Sequence, residues 1–189
     1  MKEIRIHGRG GQGSVVIAEL LAIAAYEDGL YSQAFPYLGG GGERRGAPVQ
    51  AFCRIDEEPI RLKYRMIEPN CLIIQDASLN EAINIFQGLQ KGGLVLVNST
   101  KSPEELGMAR PEYKIYSFPA AEIALEILKK PVMNTVMIGA FAALAGGFKL
   151  QCLKEAIIHK FPGELGEKNI EAMVTAYRTA QDMFGEEVQ

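Results

Sequence analysis

The N-terminal stretch limits what this chain can fold into more than any other. A short strand is predicted over Ile4 to His7, and it runs straight into Gly8-Arg9-Gly10-Gly11-Gln12-Gly13. From Ser14 to Glu27, Val15, Ile17, Ala18, Leu21, Ala22 and Ala25 make a broad apolar helical face, and Gly29 ends the helix. Strand, glycine turn and helix in that order open a parallel α/β unit. Glycine at 8, 10 and 13 permits a tight turn and close approach by a ligand. The helix start offers unpaired amide hydrogens and the positive end of its dipole. Arg9 and the amide of Gln12 add donors. Two uses fit this loop: a cradle for phosphate or another anion, and close helix–strand packing or subunit contact.

A nicotinamide dinucleotide suits the loop poorly. It calls for a second strand soon after the helix, ending in an acidic residue for the ribose. Here Gly29-Leu30-Tyr31-Ser32-Gln33 leads into a long connector, expected from Tyr31 to Pro48. A P-loop is excluded because no Gly-Lys-Ser/Thr follows the glycines. The connector carries a second glycine-rich loop, Gly39-Gly40-Gly41-Gly42-Glu43-Arg44-Arg45-Gly46-Ala47-Pro48. Ordering four glycines costs much entropy, so strained turns, a close partner or a lid are the uses open to it. Arg44 and Arg45 are suited to gripping phosphate or carboxylate, and Glu43 to an ion pair. A solvated charge cluster is the alternative.

The rest of the chain alternates strands with helices. Gln50 to Ile55 is expected to pair with a short strand at Ile60 to Leu62 through the turn at Glu57-Glu58-Pro59. Cys71 to Ile74 and Leu94 to Val97 have the unbroken apolar character of buried parallel strands, and Ile115 to Phe118 that of an edge strand. Helices are expected at Leu79 to Leu89, Ala120 to Lys129, Thr135 to Ala145, Gln151 to His159 and about Gly166 to Phe184, with Asn134 capping the third. These elements predict an α/β fold: one three-layer α/β/α domain, residues 1–189, around a mostly parallel, mixed sheet. Asp76 and Asn98 fall at C-terminal strand ends, where open sheets gather ligands, but as turn or cap residues. His7 is expected to be a packed histidine. No catalytic acid, base or nucleophile can be assembled.

Composition narrows the function classes. The chain has 189 residues, 48% hydrophobic, and a net charge of −3, so nothing in its overall charge points to nucleic acid. Three scattered cysteines and two histidines argue against a zinc site or iron–sulfur cluster held by this chain alone. Disulfides are not implied. Met1-Lys2-Glu3-Ile4 enters a strand without an apolar leader, and the run from Val132 to Ala145 is too short for a membrane span. A cytoplasmic location without membrane contact is therefore expected.

Several segments together resemble one family. They are Ile6-His7-Gly8-Arg9-Gly10-Gly11-Gln12-Gly13, Gln33-Ala34-Phe35-Pro36, Glu43-Arg44-Arg45-Gly46-Ala47-Pro48-Val49, Asn98-Ser99, Pro131-Val132-Met133-Asn134-Thr135, Ile138-Gly139-Ala140 and Lys168-Asn169-Ile170-Glu171-Ala172. In this order they resemble gamma subunits of the 2-oxoacid:ferredoxin oxidoreductase family. Glu-Arg-Arg-Gly-Ala-Pro resembles the pyruvate branch, whereas relatives acting on 2-oxoglutarate or branched 2-oxoacids tend to show Arg-Gly-Gly. The four glycines before Glu43 depart from the family, which more often has glycine then proline there.

The resemblance implies a complex that oxidatively decarboxylates pyruvate with coenzyme A (CoA) to acetyl-CoA and CO2 while reversibly reducing ferredoxin. It implies alpha, beta and delta subunits as partners, with thiamine diphosphate, Mg2+ and [4Fe-4S] clusters on those subunits and none bound by this chain alone. It leaves assembly, shielding and a share of the CoA site to this chain. The expected cofactor-binding set is Gly8, Arg9, Gly10, Gly11, Gln12, Gly13, Glu43, Arg44, Arg45 and Asn134. A gamma subunit of a 2-oxoglutarate or branched-chain enzyme, and a purely structural subunit, are the alternatives.

Overall fold

The computed structural model describes residues 1–37, 45–62 and 65–188. Its sheet has six strands: β1 (Lys2–Arg9), β2 (Tyr31–Tyr37), β3 (Pro48–Asp56), β4 (Cys71–Ile74), β5 (Leu94–Asn98) and β6 (Lys114–Phe118). Their order across the sheet is β2-β3-β1-β4-β5-β6. β1, β4, β5 and β6 run parallel, and β3 returns antiparallel to both β1 and β2. The expected mixed α/β sheet is present.

Alternation along the strands sorts side chains to two faces. Ile4, Ile6, Ala51, Cys53, Cys71, Ile73, Leu96, Tyr116 and Phe118 join the larger core. Five helices cover that face: α1 (Ser14–Glu27), α3 (Ala120–Leu128), α4 (Asn134–Ala145), α5 (Leu150–Lys160) and α6 (Glu164–Val188). On the opposite face Leu72, Ile74, Val95 and Val97 pack with Leu79, Ile85, Leu89 and Met108. Leu79 belongs to α2 (Leu79–Ala82); turns supply the rest. α4 is buried along almost its whole length and lies against α6. Gly139 makes that approach possible, since a Cβ there would collide with the Met173 carbonyl oxygen. Lys2 closes the other end of α4, its Nζ donating to the Ala145 and Gly146 carbonyls at 2.9 and 2.6 Å.

Four sequence expectations are corrected. The connector from Tyr31 to Pro48 begins as strand β2, and its backbone finds a full set of partners along β3. The hairpin therefore lies before β3, not after it, and Ile60 to Leu62 form no strand. The helix expected from Leu79 to Leu89 stops at Ala82, because Ile83 takes an extended conformation and Gly88 turns with φ of 76°. Asn134 is the first residue of α4 rather than its cap, Met133 standing in the cap position.

Candidate functional site

The first glycine loop meets the closing residues of the second, Arg45 to Pro48, at the C-terminal end of β1. β1 is longer than its apolar core, so Gly8 and Arg9 are still strand residues, paired with Val49 and Pro48. Past the strand the two chains stay joined. Gly10 N–H donates to the Ala47 carbonyl at 2.9 Å and Gly46 N–H to the Gly10 carbonyl at 3.1 Å, with a further bridge between Gly10 and Arg45. The Arg45 side chain runs alongside Gly11, a Cβ on which would lie 3.8 Å from Arg45 Cγ. Gly11 takes φ of 94° and Gly13 φ of 81°, a left-handed backbone that favours glycine.

Beneath the loop a buried network fixes its shape. Ser14 Oγ donates to Gln75 Oε1 at 2.6 Å, and Gln75 Nε2 donates to the Gln12 carbonyl at 2.8 Å. Gln75 N–H donates to the His7 carbonyl at 2.8 Å. Arg9 N–H donates to Gln12 Oε1 at 2.7 Å, so Gln12 uses its side chain to close the loop it sits in. Gly8 lies where these groups converge: a Cβ would collide with Ser14 Oγ and lie 2.6 Å from Gln75 Oε1. Asn98 extends the network sideways, donating to the Gln75 carbonyl at 3.1 Å and accepting from Ala121 N–H at 3.0 Å in the first turn of α3. Its expected capping role is thus filled across the chain.

Above the network lies the N-terminus of α1, which has no side-chain cap. Gly13 stands at its cap without a side chain to satisfy the first amides, and no acidic residue occupies the first turn. No side chain of the cap or first turn therefore competes with an anion for the helix's positive dipole end. Asn134 comes in from the start of α4, its Nδ2 at 3.0 Å from where a Gly13 Cβ would be, while its Oδ1 accepts from Thr135 N–H at 2.8 Å. Thr135 Oγ1 donates to Asn169 Oδ1 of α6 at 2.9 Å, which steadies this corner. A cavity of 490 Å³ opens beside Asn134, walled by Leu128, Val132, Phe161 and Leu165 with Lys130 and Lys168 among its lining.

Arg9 is held by three partners. Its guanidinium is engaged by Asp76 at 2.6 Å, Ser78 Oγ at 2.8 Å and the Gly46 carbonyl at 3.1 Å. Burial works to raise the Asp76 carboxyl. Hydrogen bonds from Ser78 and Arg9, with the guanidinium charge, outweigh it and hold the group below the ordinary carboxylate range. His7 is 1% exposed and faces the smaller core, on the same side of β1 as Arg9, where Arg5 Nε donates to its Nε2 at 2.9 Å. That bond leaves the ring proton on Nδ1, which has no partner among the described residues. Burial, and then the Arg5 charge, push His7 down to about 3, so at neutral pH it is an uncharged packing residue.

The structure thus brings Gly8, Arg9, Gly10, Gly11, Gln12, Gly13, Arg45 and Asn134 together. Glu43 and Arg44 lie outside the described residues, as does the run of four glycines. Sequence reasoning missed Gln75, Ser14 and Ser78, and only the strand-end position of Gln75-Asp76 hinted at them. Among the described residues no three His, Cys, Asp or Glu side chains converge as a metal site, and no helix is long and apolar enough to cross a membrane.

The pyruvate ferredoxin/flavodoxin oxidoreductase family model matches residues 3–179. The chain belongs to that family. Among its relatives, pyruvate synthase subunit PorC of Methanocaldococcus jannaschii is 47% identical, the match covering 98% of this chain and 100% of the relative. The pyruvate/ketoisovalerate oxidoreductases common subunit gamma of Thermococcus kodakarensis is 48% identical over 94% of this chain and 96% of the relative. The crystal structure of pyruvate oxidoreductase subunit PORC from Thermotoga maritima superposes with a TM-score of 0.82 at 35% identity, over 94% of this chain and 95% of that one. Like those family members, this chain is matched as one subunit of an oxidoreductase rather than as a complete enzyme.

Proposed function

We propose that this chain, acting as one domain, is the gamma subunit of a complex that oxidatively decarboxylates pyruvate with CoA, giving acetyl-CoA and CO2 and reversibly reducing ferredoxin. The observation that carries the proposal is end-to-end likeness to PorC subunits combined with a first glycine loop zipped to Gly46 and Ala47 beside a helix start without a side-chain cap. CoA is the reactant such a site suits. It carries a diphosphate and a 3'-phosphate, and oriented amides with a nearby guanidinium bind phosphate well. The α1 amides beside Gly8 to Gly13, the Arg45 guanidinium and the Asn134 amide would hold it. Glu43 and Arg44, next in the chain to Arg45, complete the proposed set.

The other groups of the reaction suit this chain badly. Cys53, Cys71 and Cys152 are buried on β3, β4 and α5, and burial raises each thiol away from the thiolate that a cluster requires. Decarboxylation and electron-transfer chemistry is supplied by thiamine diphosphate with Mg2+ and by [4Fe-4S] clusters, which we assign to the alpha, beta and delta subunits. This chain would orient CoA, shield the reacting centre from water and help hold the complex together. Three free thiols fit a reducing cytoplasm.

The common subunit of Thermococcus kodakarensis supports a second reading, in which a chain of this kind also serves a branched-chain 2-oxoacid enzyme. Both readings place 2-oxoacid selection outside the gamma chain. The test is to purify the native complex and assay CoA-dependent ferredoxin reduction with pyruvate, 2-oxoglutarate and 2-oxoisovalerate. Preference for pyruvate in a four-subunit complex is expected. Preference for 2-oxoglutarate would overturn the pyruvate assignment, and activity with 2-oxoisovalerate from a second assembly would establish a shared subunit.

A further inference from the structure

The guanidinium of Arg9 ties together three segments far apart in sequence: the end of β1, the turn after β4 and the closing residues of the second glycine loop. Its Nε meets Asp76 Oδ2, one terminal nitrogen meets Ser78 Oγ, and the other meets the Gly46 carbonyl. Ser78 in turn donates to Asp76 Oδ1 from its hydroxyl and from its N–H, the latter at 3.0 Å. Asp76 therefore holds both Arg9 and the serine that holds Arg9. Arginine's rigid planar fork can meet three acceptors in fixed directions, and a lysine ammonium could not reproduce that geometry.

Only the third contact reaches the second loop. Its direction depends on the other two, because they set the plane of the guanidinium. The Gly46 carbonyl that accepts from Arg9 belongs to the residue whose own N–H donates to Gly10. From this arrangement we infer that Asp76, with Ser78, is a positioning residue: it turns Arg9 to pin Gly46 against Gly10, and so carries Arg45 to the mouth of the helix cradle. Asp76 would thus act on the site without touching its ligand. Its consequence for CoA rests on the function proposed above; the pinning of the loop does not.

The assembled complex carrying Asp76→Asn or Ser78→Ala separates these two statements. Asp76→Asn preserves size and removes the charge, and Asp76→Glu restores the charge on a longer arm. Hydrogen exchange read by mass spectrometry follows the peptides containing the Gly10 and Gly46 amides. Losing a charge-assisted bond predicts about tenfold faster exchange there in Asp76→Asn. A smaller increase is expected in Ser78→Ala, a rate nearer the parent in Asp76→Glu, and parent rates in β5 and α4. In the same samples the KM for CoA should rise while kcat and the KM for pyruvate hold. Unchanged exchange at Gly10 and Gly46 in both Asp76→Asn and Ser78→Ala would overturn the inference. Faster exchange with an unchanged KM for CoA would uphold the pinning and contradict the CoA reading.

Discussion

At the residue scale, two positions carry sharp consequences. Gly8 lies against Ser14 Oγ and Gln75 Oε1, both held in hydrogen bonds beneath the loop. Gly8→Ala must displace that network, so it is expected to cost about 1–3 kcal/mol as overpacking does. Thermal unfolding checks this, with a lowered Tm as the expected result. His7 gives a pH signature. Its folded pKa of about 3 lies below the ordinary 6.5. Between those values the unfolded chain binds a proton that the folded chain refuses. The stabilisation is full above about pH 6.5 and is lost as pH falls toward 3, with a slope approaching 1.4 kcal/mol per pH unit. Urea titrations from pH 7 to pH 5, above the range where carboxylates protonate, should show this slope. His7→Gln should flatten it.

At the element scale, helix α4 shows packing overriding intrinsic preference. Alanine favours a helix over glycine by about 1 kcal/mol. Gly139→Ala is nonetheless expected to destabilise, because its methyl would meet the Met173 backbone of α6. Comparing Gly139→Ala with Gly185→Ala, where a Cβ meets nothing within 4 Å, should give opposite signs in chemical denaturation. Elements of this kind were also the most legible. β4 and β5 are buried on both faces, so their apolar runs announced them. β2 was hidden because it is an edge strand: Tyr31–Tyr37 is mostly exposed, contains Pro36 and shows no apolar alternation. The helix after β4 was overread because Leu79, Ile83, Phe86 and Leu89 have helical spacing. Their burial is achieved instead by turns, with Phe86 stacked on Tyr113. In the site, the glycines were legible because backbone shape demands them. Gln75, Ser14 and Ser78 were not, since their roles come from strand order, which no local pattern encodes.

At the scale of the whole molecule, the fold gathers the β1 loop, the segment Arg45 to Pro48 and the starts of α1 and α4 at one end of the sheet. Among the described residues this end presents the start of α1 and the Arg45 side chain, and on the function proposed above it holds a reactant while chemistry proceeds on the other subunits. Its contribution should therefore appear in the kinetics of CoA and not in those of the 2-oxoacid. The most direct measurement is the KM for CoA of the assembled complex with Arg45→Glu in this chain. Placing a carboxylate beside Gly11 should raise that KM by about tenfold or more, as reversal of a phosphate-facing charge does, and leave assembly and the KM for pyruvate at parent values. An intact complex with an unchanged KM for CoA would contradict the account.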